Sequence, residues 1–136
     1  MNKIIEIRLK PNYLSLVKLG KNVILENCAL CHDTQFEGQT NWQNRDNEGY
    51  ISAPPHDETG HTWHHLDEYL LLMTKYSIEE IIGKKYHNNM PAYEKILTEK
   101  EIITVLSFIK SSWPSQIQEI QKYKFKKQIK IRRQVC

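Results

Sequence analysis

Five consecutive residues, Cys28-Ala29-Leu30-Cys31-His32, constrain this chain more than any other feature. Two thiols separated by two residues fall on one turn of chain, and an imidazole follows at once. A redox-active dithiol at this spacing needs a preceding strand in a βαβ setting, whereas here the preceding residues have helical periodicity. A zinc site needs further ligands; no second cysteine pair exists, so they would have to come from histidines elsewhere. Three cysteines cannot close into a disulfide framework, and Cys136, the last residue, reads as an incidental thiol on a chain end.

The lead-in is an amphipathic helix: Tyr13, Val17, Gly20 and Ile24 recur on one face, with Asn12 placed as its N-cap. Residues 33–65 are polar and punctuated by Gly38, Gly49, Pro54, Pro55 and Gly60. A loop of that length inside a compact domain is functional or wrapped around something. A helix is expected from about Leu66 to Thr74 and another from Ser77, where Ser77 and Glu80 have capping-box spacing, to Gly83. Residues 84–97, containing Met90-Pro91, again look irregular. Thr98 and Glu101 form a second capping box, opening a helix with the apolar stripe Ile102, Val105, Phe108 and Ile109, which Pro114 ends. No convincing strand and no repeat is visible. The predicted class is all-α with long loops, divided into an N-terminal extension (1–11), a domain (12–113) and a basic C-terminal tail (114–136).

A chain of 136 residues, 40% hydrophobic and 26% charged, suits one soluble domain. The net charge of +3 is unevenly placed: from Lys122 to Arg133 there are seven basic residues and no acidic one. Ile117, Ile120 and Tyr123 keep helical spacing through the tail's start, so a trailing helix is compatible with it. Because the charge is confined to the tail, a nucleic-acid partner is not expected. Steering towards an acidic protein or peripheral contact with an anionic membrane is, and a merely solvated tail fits the same residues. No apolar run approaches the ~20 residues that span a bilayer. Glu6, Arg8 and Lys10 interrupt any export signal in the first ten residues.

C-x-x-C-H is the attachment signature of a covalent c-type haem: each thiol reaches one vinyl group of the same porphyrin, and His32 is delivered to the iron. A second iron ligand would close the open site, and a thioether in that place favours ferrous iron. Among three methionines, Met1 is terminal and Met73 lies on a helix's apolar face. Met90, in an irregular loop stiffened by Pro91, is therefore the candidate second ligand, against the alternative that it fills a gap in the core.

Over residues 12–113 the chain resembles a class I cytochrome c. The resemblance implies an N-terminal helix crossed by a C-terminal one, with long loops wrapping a single haem. Gly20 matches the family's helix-crossing glycine, with Ile24 in place of the usual aromatic one turn later, and Phe108 the packing aromatic on the last helix. It also implies a proline carbonyl held against the ring nitrogen of His32; Pro54 matches that role best, with Pro55 as the alternative. The expected function is one-electron transfer between membrane or periplasmic redox partners, a carrier's role and not an enzyme's, in the periplasm.

Four of the six histidines fall within His56-Asp57-Glu58-Thr59-Gly60-His61-Thr62-Trp63-His64-His65, a stretch similar to one in a bacterial branch of small cytochromes. Three readings stand side by side. The first is a polar loop over the haem edge, with Trp63 packed on the porphyrin or the core. The second is a copper or zinc site from His61, His64 or His65 with Asp57 or Glu58. The third is a histidine replacing Met90 on the iron. An open or His-ligated iron would make the protein a haem sensor or haem enzyme instead of a carrier.

Overall fold

The structure is a computed structural model that describes residues 9–32 and 35–135. Residues 1–8 of the expected extension, and Cys136, lie outside the described residues, as do most side chains of the basic run beyond Lys124.

Among the described residues six helices follow one another: α1 (Leu14–Asn27), α2 (Ala29–His32), α3 (Asp67–Tyr76), α4 (Ile78–Ile82), α5 (Glu99–Ser111) and α6 (Ser115–Val135), with one 3-10 turn at Thr62–His64. The described residues hold no strand, only isolated bridges joining Ile51 to Arg45 and to Asn88. The all-α expectation holds.

The α1–α5 pair forms the most extensive helix contact. It packs Val23 and Ile24 against a stripe of Ile102, Val105, Leu106 and Ile109, all buried. Gly20 permits this: a Cβ there would stand 2.1 Å from the Thr104 carbonyl oxygen and 3.0 Å from Phe108 Cβ. The two backbones therefore meet where a side chain is missing. Phe108 leans over the crossing and sets its ring edge-on to Phe36, 5.6 Å between centroids.

Local signals fix the boundaries. Thr98 caps α5 through the full reciprocal box with Glu101, as its spacing predicts. At α4 only half the box forms: the Ser77 hydroxyl accepts from Glu80 N, and Gly83 ends the helix in the left-handed region. Asn12 is not the cap of α1. Tyr13 holds that position, and its side chain caps nothing.

Two segments assigned to extensions are tied into the domain. Leu9 is buried; its amide donates to Asp67 Oδ2 and the Lys10 amide to Ser107 Oγ. Asp67, itself buried, also pairs with Lys110 Nζ at 3.3 Å. At the other end, Trp113 is buried and α6 packs on the 3-10 turn, with buried Gln121 donating from Nε2 to the His65 carbonyl. These contacts were invisible in the pattern because each joins groups far apart in sequence, three of them a side chain to a backbone amide or carbonyl.

Candidate functional site: a thiol pair and a buried imidazole on one turn

α1 ends where the attachment motif begins. Cys28 is its C-cap, its amide bonded to the Ile24 carbonyl, and the next turn, α2, carries Cys31 and His32. Both thiols are free; Cys28 is half-buried and Cys31 exposed. Burial, reinforced by Cys31, pushes the Cys28 pKa up to about 11, so it stands as the neutral thiol near pH 7.

His32 is buried. Its Nδ1 lies 2.8 Å from the Pro54 carbonyl oxygen. A carbonyl can only accept, so Nδ1 carries the proton and Nε2 keeps its lone pair for a metal. Burial lowers the pKa of His32, and the Pro54 contact partly offsets that. Of the two prolines, Pro54 is the one whose carbonyl meets the ring.

The Pro54 carbonyl is fixed by a tight weave within the long loop. The Gly38 amide bonds back to the His32 carbonyl, Gln39 N to Ala53 O, and His56 N to Phe36 O. Gln39 Oε1 accepts from Ala53 N. Gly60 folds the following turn onto Pro55, where a Cβ would stand 2.1 Å from the Pro55 carbonyl oxygen.

Met90 is 41% exposed, in a segment without regular structure, with its amide donating to Asn88 Oδ1. Three residues later, buried Tyr93 anchors the loop. Its hydroxyl donates to the Asn27 carbonyl beside Cys28, and its amide to Thr74 O. Sequence reasoning missed Tyr93; an aromatic with a polar tip close after Met90-Pro91 was the available signal. Burial, then the two cysteines, raises its pKa to about 12. A phenol whose folded-state pKa is raised loses its stabilising contribution as pH climbs above the unfolded value near 10. Tyrosinate absorbance should therefore show one of the seven tyrosines titrating near 12, and Tyr93→Phe should remove that step.

The histidine-rich stretch divides. His56 packs ring to ring with His32, 4.0 Å between centroids; it stands beside that imidazole and is not placed to oppose it across a metal. His61 and His64, both exposed, approach each other at the 3-10 turn, with Trp42 edge-on to His61. His65 turns away to Tyr69. Among the described residues no three of His, Cys, Asp or Glu gather as a metal site, so the copper or zinc alternative finds no ligand set. Apart from the His61–His64 ring contact, the expected partners His61, His64, His65, Asp57 and Glu58 do not form a group of three that could hold a metal. Trp63 packs against the core cluster, donates from Nε1 to the Glu58 carbonyl, stacks with His64 and lies under Lys124 Nζ.

Two thiols and a lone-pair nitrogen on a single turn are the donor set that a covalently attached haem requires. The cytochrome c family model matches residues 17–113. Neither a curated protein nor a solved structure matches the chain. The family binds haem c covalently through its iron-bearing porphyrin, and Cys28 and Cys31 fit its attachment motif. The chain belongs to the cytochrome c family.

Proposed function

We propose that this protein is an electron carrier that moves one electron at a time on haem iron ligated by His32 and Met90. The observation that carries the reading is the His32 ring, buried and with Nδ1 engaged by the Pro54 carbonyl. That contact holds the imidazole in the tautomer and orientation a ligand needs. Haem supplies the one-electron chemistry; the chain tethers it through Cys28 and Cys31, orients the imidazole and sets the surroundings of the iron. Tyr93, clasping the end of α1, holds the Met90 loop near the attachment turn.

The partners proposed are membrane or periplasmic redox proteins, met through a small transient patch at the haem edge. Lys122, Lys124 and Lys127 stand exposed on α6, which favours an acidic partner or peripheral contact with an anionic membrane. The compartment proposed is the periplasm. No helix among the described residues is long and apolar enough to cross a membrane.

Mass spectrometry of protein matured with an active haem-attachment system should give the polypeptide plus one haem. In the reduced state it should not take up carbon monoxide, because Met90 would occupy the iron's remaining position. Met90→Ala should bind carbon monoxide readily and have a lower midpoint potential. Carbon monoxide uptake by the unmodified ferrous protein would instead favour a haem sensor or enzyme with an open iron.

A further inference from the structure

We propose that His56 is a positioning residue for His32, a flat wall that fixes the rotation of the imidazole and keeps water from its side. The inference rests on the reading above that His32 ligates iron. With Cβ tethered to the backbone and Nδ1 held by the Pro54 carbonyl, the ring keeps only a tilt about the line through those two points. The His56 ring, 4.0 Å away between centroids with planes 30° apart, removes the remaining freedom.

His56 is itself held on several sides. Its amide donates to the Phe36 carbonyl at 3.0 Å, and its carbonyl accepts from Trp113 Nε1 at 2.7 Å. Its Nδ1 shares a 2.7 Å hydrogen bond with Thr62 Oγ1, and Phe36 meets its ring edge-on. Phe36 adopts φ 63° to present that carbonyl, a left-handed conformation that is costly for a phenylalanine and persists only where its surroundings enforce it. Thr62 is buried and belongs to the same histidine-rich stretch. The first part of that stretch thus closes on itself behind the imidazole, through a residue pair, His56 and Thr62, that the attachment motif alone does not require.

The orientation of an imidazole plane and the dryness of its surroundings both tune the bound metal. Removing the wall should admit water, which favours the more highly charged ferric form. In haem-loaded protein, His56→Ala should lower the reduced-to-oxidised ratio at a fixed ambient potential by about threefold or more. It should also shift or broaden the low-spin electron paramagnetic resonance signal. His56→Phe, which keeps an aromatic wall, should recover most of the ratio. Thr62→Val, which frees the ring without opening a cavity, should broaden the signal alone, and it carries the test with His56→Phe where His56→Ala fails to load haem. A His56→Ala or Thr62→Val protein that is less stable to denaturant yet has the unmodified potential and resonance would overturn the proposal and leave His56 a packing residue. His32→Gly separates the two readings: an unmodified resonance in that variant would overturn the ligand assignment, and this proposal with it.

Discussion

Replacing Cys28 and Cys31 together by alanine is expected to abolish covalent haem completely. The polypeptide should run at its bare mass and a denaturing gel stained for haem should be blank, while either single variant should keep one thioether at reduced yield. Cys28 ends α1 and Cys31 lies on the turn that follows, so each thiol would tether the porphyrin at its own point beside His32. With neither link, only the iron bonds and apolar contact would hold the group. The double variant should therefore also be less stable to denaturant than the haem-loaded protein, because a group bound only to the folded chain stabilises it. A double variant that still gave a haem-sized mass addition would show that attachment runs through other residues.

Gly20→Ala should be nearly as damaging, although Gly20 is remote in sequence from any ligand. The added Cβ would stand 2.1 Å from the Thr104 carbonyl oxygen and 2.7 Å from its carbon. Both are backbone atoms at the centre of α5, so the strain cannot be relieved by turning a side chain. Separating α1 from α5 would open the most tightly packed part of the core, where Thr104 and Ser107 are fully buried. The expected loss is about 3 kcal/mol or more, read as a fall in melting temperature on the order of 10 °C. Because α1 leads directly into Cys28, haem loading should fall as well. Lys21→Ala, one residue along on the exposed side of α1, should change stability by less than about 0.5 kcal/mol. Similar melting temperatures for the two variants would refute the close-crossing account.

The parts of this protein legible from sequence were those encoded by short-range chemistry. The C-x-x-C-H motif specifies its cofactor because sulfur spacing and an adjacent imidazole have one common use, and the family match agrees. Thr98 and Glu101 announced the start of α5 because capping is a three-residue event. Gly20, Phe108 and Pro54 came through resemblance, and the contacts of all three are present. What sequence could not supply was long-range pairing. Asn12 looks like a cap by type, yet the helix starts one residue later. The four clustered histidines suggested a shared metal, but a 3-10 turn and the packing of α6 send them to different neighbours. His56 goes to His32, and His65 to Tyr69. Nothing in residue type distinguishes those fates, since each is decided by which helix arrives alongside.

The fastening of Leu9 and Lys10 bears on the order in which the molecule assembles. Their amides reach partners 58 and 97 positions further along the chain, so the bonds close loops of about half and of nearly the whole length of the domain. Such closures are entropically the most expensive and are made only after nearer contacts have condensed. Interactions that form after the folding barrier slow the escape from the native state and leave the forward rate nearly untouched. The Asp67 clasp should in that sense act as a latch: Asp67→Asn is expected to raise the unfolding rate and leave the refolding rate nearly unchanged.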